Sequence, residues 1–117
     1  MPEPFQIVNG PSDARVAVLR VSGRLDSASA GELAQRCTAI GASNRDLVLS
    51  LENVSFIASS GVGALLAVAE QFRASGHAMR LAALSPSVDA VIRLLNLDQF
   101  LTIHATEEAA MAMRKAA

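Results

Sequence analysis

The chain has no tryptophan and no tyrosine, and its aromatic residues are limited to Phe5, Phe56, Phe72 and Phe100. Single-stranded nucleic acid is held on stacked aromatic platforms, and this composition leaves little to build one. Cysteine is nearly absent too. Cys37 stands alone, which excludes an intrachain disulfide. Cys37 and two histidines do not make a usual structural zinc site without carboxylate help. Neither sign of charge is in excess: 10 basic side chains stand against 11 acidic ones, for a net charge of −1. That argues against a basic nucleic-acid footprint and leaves no polybasic handle for anionic lipid. No uninterrupted apolar run approaches the roughly 18 residues of a membrane-spanning helix. The first twenty residues hold Glu3, Asp13 and Arg15 among polar breakers, with no apolar stretch of the signal-peptide kind. The chain is expected to be soluble and cytoplasmic, with no nucleic-acid partner and no direct membrane insertion.

What is present is aliphatic. Half of the 117 residues are hydrophobic (51%), so the core must come from Ala, Val, Leu and Ile. This length suits one domain, expected over residues 1–117. A domain of this size buries roughly two thirds of its unfolded surface and needs no metal or disulfide.

The turn-forming segment Asn9-Gly10-Pro11-Ser12-Asp13 separates an apolar stretch, Phe5 to Val8, from the β-rich run Val16 to Val21. The two are expected to pair antiparallel, with Ser22-Gly23 ending the second strand. Ala30, Leu33, Ala34, Cys37 and Gly41 then recur at helical spacing. Ser29 and Glu32 have the spacing of a capping box, with Asp26 or Ser27 as a cap one turn earlier. Cys37 lies on the apolar stripe and reads as a buried small residue. Leu47 to Leu51 is a nearly continuous apolar run, as in a buried parallel strand. Glu52 to Ser59 reads as a connection. A helix is expected from Ser60 to Ser75, with Gly76 as its terminator. Met79 to Leu84 reads as a strand. Ser85-Pro86 opens a helix whose buried stripe is Val88, Val91, Ile92 and Leu95. Phe100 to His104 is a short last strand. Thr106-Glu107-Glu108 starts a terminal helix, with Arg114 and Lys115 near its end. The expected fold is α/β, in the order β-β-α-β-α-β-α-β-α. Its sheet is mixed but mostly parallel, with helices packed against it.

Catalytic signatures are missing. There is no GxSxG elbow, no HExxH helix, no GxxxxGK[ST] loop and no CxxC pair. Gly61-Val62-Gly63 lacks the third glycine of a dinucleotide fingerprint. His77, expected at an exposed turn, and His104, at a strand boundary, have no nucleophile placed beside them. The chain is expected not to be an enzyme and to need no cofactor.

The informative segment is Phe56-Ile57-Ala58-Ser59-Ser60-Gly61-Val62-Gly63-Ala64-Leu65-Leu66. Two hydroxyls stand where a helix should begin. One reading is simple capping by Ser59 or Ser60. The other is functional. A phosphate there would add about −1.5 to −2 charges at a helix end suited to anions. Nothing from Ile57 to Ala69 is charged, so the local change would be large.

Several stretches together resemble a STAS domain of the bacterial anti-sigma factor antagonist kind. Val21-Ser22-Gly23-Arg24-Leu25-Asp26 is similar to the family's strand followed by Gly-x-Leu-Asp. LVLSLENVSFIASS, residues 47 to 60, resembles its apolar strand leading to a serine pair. Gly61 to Leu66 resembles its Gly-x-x-x-Leu helix start, and Leu84-Ser85-Pro86-Ser87-Val88 through Leu95 its Ser-Pro-x-Val helix. The resemblance covers residues 5 to 115.

It implies an interaction protein in a partner-switching circuit. The unphosphorylated form would bind an anti-sigma factor with serine kinase activity. Phosphorylation at Ser60, less so at Ser59, would release it, and a serine phosphatase would reset it. The implied partner surface is Ser22, Gly23, Asp26, Ala58, Ser59, Ser60, Gly61, Gly63, Ala64 and Ala67. The family commonly has Asp directly before the serine pair, where this chain has Ala58. That departure favours two alternatives without a phosphoserine cycle. They are an accessory subunit of a lipid-transporting ABC system and a stress-signalling scaffold. A small-ligand-binding module is a third reading, and it requires a pocket.

Overall fold

The computed structural model describes residues 4–112. Strand β1 (Gln6–Asn9) runs antiparallel to β2 (Val16–Leu25). Strands β3 (Asp46–Ile57), β4 (Met79–Ala82) and β5 (Thr102–His104) follow, each parallel to the strand before it. The spatial order is β1-β2-β3-β4-β5. Helices α1 (Ala30–Ala42), α2 (Ser59–Ala74) and α3 (Pro86–Leu94) form the crossovers. A 3-10 turn, Leu97–Gln99, precedes β5, and α4 (Glu107–Ala112) follows it. The expected element order and the mixed, mostly parallel sheet are both present.

Alternation along the strands sorts side chains onto two faces. Leu19, Val21, Leu49, Leu51 and Leu81 share one core with Leu33 and Cys37 of α1, Leu65 and Phe72 of α2, and Val88 and Ile92 of α3. The other face sets Val16, Val18, Val48 and Ala82 against Ala110 and Met111 of α4. Cover on both faces explains the nearly continuous apolar run from Leu47 to Leu51. Phe72 is the one aromatic among the largest fully buried side chains, so the core is aliphatic as the composition requires.

Two boundaries differ from expectation. Strand β2 does not end at Ser22-Gly23, and residues 52–57 are strand, not connection. The two strands stay paired through Ser22↔Asn53, Gly23↔Val54, Arg24↔Phe56 and Leu25↔Ile57, with register shifts at Arg20/Ser22 and Gly23/Arg24. The shifts break the apolar alternation by which a strand is recognised. Gly23 takes φ +91°, and a Cβ there would stand 2.7 Å from the Pro4 carbonyl oxygen. It marks an irregularity inside the strand, not the strand's end.

Smaller corrections have local causes. Leu95 is the C-cap of α3 and is 52% exposed, so it leaves the buried stripe. The last strand is only Thr102–His104, because the 3-10 turn occupies the residues before it. His77 is half-buried, with Nδ1 3.3 Å from Oδ1 of the buried Asp46. Arg114 and Lys115 lie outside the described residues. Ser85 caps α3 as expected, its hydroxyl accepting from the Val88 N–H at 3.3 Å.

Candidate functional site

Parallel pairing brings the carboxyl ends of β2 and β3 out together, and α2 starts at once from the end of β3. The joint is a backbone one. The Ala58 N–H donates to the Leu25 carbonyl at 2.9 Å, and the Ala58 carbonyl accepts from the Val62 N–H at 3.0 Å. Ala58, extended at φ −95° and ψ 171°, is therefore the N-cap, and no side chain caps the helix. This corrects the expectation that Ser59 or Ser60 does so. Both serines fall in the first helical turn, Ser59 exposed and Ser60 half-buried. Neither hydroxyl has a hydrogen-bond partner among the described residues.

Gly61 is buried against the end of β2. A Cβ there would stand 2.7 Å from the Leu25 carbonyl oxygen and 2.8 Å from Leu25 Cγ. Only glycine lets the first turn of α2 approach so closely. Two residues on, a Cβ on Gly63 would meet nothing within 4 Å. Gly63 and Ala67 are exposed and Ala64 is half-buried. With the serine pair they form an uncharged outward face.

The turn from β2 to α1 supplies Asp26. Its Oδ1 accepts from the Ala28 N–H at 3.0 Å, and its Oδ2 lies 3.7 Å from Arg24 Nε. Ser29 holds the N-cap position of α1 without capping it. Its hydroxyl instead donates to the Arg24 carbonyl at 2.8 Å and accepts from the Asp26 N–H at 3.0 Å. The expected capping box is thus replaced by a brace across the turn. Leu25 ties Asp26 to the start of α2. Ser22 and Gly23 lie further back, opposite Asn53 and Val54. Ser22 is half-buried, and Gly23 is buried beneath Pro4 and Phe5.

Sequence reasoning missed Arg24 and Phe56 as a pair. Register sets them opposite each other, and the guanidinium carbon sits 4.2 Å from the ring centroid. The Arg24 side chain is 50% exposed and Phe56 is 40% exposed. The signal becomes readable only once β2 and β3 are known to extend through these positions.

Other candidates are quiet. Cys37 is fully buried, and burial pushes its thiol up to about 12. No group of three or more His, Cys, Asp or Glu among the described residues could hold a metal ion. No helix among them is long and apolar enough to cross a membrane. A groove of about 650 Å³ opens among Arg20, Ser50, Glu52, Thr106 and Glu107, and none of the serine-pair residues lines it.

The family model described as STAS domain matches residues 8–110. The chain belongs to the STAS domain family. This STAS chain is similar to an anti-sigma factor antagonist from Mycobacterium paratuberculosis. Identity is 27%, the TM-score is 0.83, and the match covers 96% of this chain and 95% of that one. It is also similar to the anti-sigma factor antagonist SpoIIAA in its unphosphorylated form. There identity is 28%, the TM-score is 0.74, and coverage is 92% and 93%. The phosphorylated form of SpoIIAA from Bacillus shares the fold at 24% identity and a TM-score of 0.69, covering 93% of this chain and 97% of that one.

Proposed function

We propose that this STAS protein is an anti-sigma factor antagonist. In this reading it binds, and does not catalyse. Its partner is an anti-sigma factor with serine kinase activity, and the circuit is cytoplasmic. The observation that carries the reading is the start of α2, where two unpartnered hydroxyls open onto an uncharged outward face. Such a face can be buried against a protein partner without desolvating a charge. A phosphoryl group on Ser60 would change that. The helix N-terminus tolerates the added charge locally. The partner would have to desolvate it, and any facing carboxylate would repel it.

Ser60→Asp should weaken binding to the cognate anti-sigma factor at least about tenfold, or roughly 1.4 kcal/mol. Ser60→Ala should bind like the parent and gain no phosphate with kinase and ATP, as read by intact mass. Parent-like affinity of Ser60→Asp would remove the charge mechanism. Failure of the unphosphorylated protein to bind would remove the whole reading.

Ala58 supports a second reading. Asp26 is engaged in its own turn and does not hydrogen-bond either serine. The acceptor hydroxyls therefore lack the carboxylate that the family commonly sets beside them. A scaffold or a lipid-transport accessory subunit needs no such group. Tight binding to an ABC nucleotide-binding subunit, with no phosphate gained from the kinase, would decide for it.

A further inference from the structure

We propose that Arg24, held over Phe56, is the charged anchor of the docking face, pairs with a carboxylate of the anti-sigma factor, and helps set which anti-sigma factor is accepted. This rests on the reading above that the start of α2 is the docking face.

Residues 57 to 69 carry no charge, so steering and selectivity must come from beside that segment. Arg24 and Phe56 each precede the last residue of their strands, Leu25 and Ile57. They therefore share the carboxyl end of the sheet with Ser59 and Ser60. Leu25 and Ile57 turn into the core beneath α2, so alternation sends Arg24 and Phe56 to the other side of the sheet, where both are exposed at the same carboxyl edge from which the serine turn leaves.

The guanidinium makes no hydrogen bond among the described residues, and its ion contact there is with Asp26 at 3.7 Å. That separation is too long for a hydrogen bond. Asp26 is itself committed through Oδ1 to the Ala28 N–H. Arg24 thus keeps its donors for an incoming group. The ring beneath it restrains the planar fork, so less freedom is lost when a carboxylate is gripped in two places. A rim charge of this kind acts mainly on the association rate, its salt dependence and the choice of partner.

The test measures association of the full chain with the cognate anti-sigma factor by stopped flow, across ionic strength. Arg24→Glu should slow association at low salt about tenfold. Arg24→Gln should flatten the salt dependence without reversing it, and Phe56→Ala should give an intermediate loss. Melting temperatures of the three variants check that each is folded, and Arg24→Gln carries the test if Arg24→Glu is not. Gly63→Trp is the control. It places bulk in open space on the uncharged face and should block docking whatever Arg24 does. If Gly63→Trp blocks binding while folded Arg24 variants keep the parent's rate and salt slope, the anchor is wrong and the docking face stands. If Gly63→Trp binds like the parent, the docking face fails and the anchor falls with it.

Discussion

A serine at a helix start ordinarily accepts a hydrogen bond from the first turn. Ser59 and Ser60 do not, because Ala58 holds the N-cap position and both serines are already helical. Sequence alone could not separate these cases. One residue of offset turns a capping hydroxyl into an unpartnered one, and boundaries are the least legible part of a helix. Cys37 was legible, because its place on an apolar stripe at helical spacing is a periodic signal. Its burial carries a prediction. With the thiol pushed up to about 12, native protein at pH 8 holds almost no thiolate there. A thiol reagent should leave Cys37 unlabelled in the native protein. Labelling should appear only across the denaturant unfolding transition, read by mass. Rapid labelling of the folded chain would show the thiol to be reachable.

At the scale of elements, the helices and the central strand were legible and the strand ends were not. Leu47 to Leu51 announces itself by nearly continuous apolarity, broken only at Ser50. Residues 52–57 do not, because the register shifts against β2 break the pattern. The site depends on those ends, since Arg24 and Phe56 meet only there. The joint between β2 and α2 gives the next prediction. Gly61→Ala forces a methyl against the Leu25 carbonyl and side chain. Overpacking of this kind costs about 1–3 kcal/mol. The melting temperature should fall, and affinity for the proposed anti-sigma factor partner should fall with it as the serine turn shifts. Gly63→Ala is the matched control. It enters open space within a helix and should be neutral or stabilising by up to about 1 kcal/mol. Equal effects at the two positions would mean that close approach at Gly61 is not what the glycine is for.

Across the whole molecule the two faces of the sheet are held unequally. Among the described residues, three helices and an extensive aliphatic core cover one face, while α4 covers part of the other through Ala110 and Met111. The fold class was legible because strand–helix alternation and apolar periodicity are global signals. The asymmetry was not, since it depends on which side each helix packs. Helix α4 gains a polar tie as well: Arg20 Nε and the Arg20 terminal amine each donate to Glu107 at 2.8 Å. Hydrogen bonding from Arg20, more than anything else, holds the Glu107 carboxyl below its ordinary value, aided by Ser50 and opposed by partial burial. Glu52 also faces Arg20 and favours its charged form. A depressed carboxyl pKa stabilises the fold above the unfolded value of about 4.3. That contribution is lost as pH falls through the lower folded value. The pair is partly exposed, so its contribution is modest and weakens with salt. Glu107→Gln should therefore lower the melting temperature slightly at pH 7, with the difference from the parent closing under acid. Amides in α4 should show lower protection factors than those in α2 at neutral pH, and that protection should fall further as Glu107 protonates. A gap between parent and Glu107→Gln that stays constant down to pH 2 would assign the loss to packing, and α4 would then be held by its apolar contacts alone.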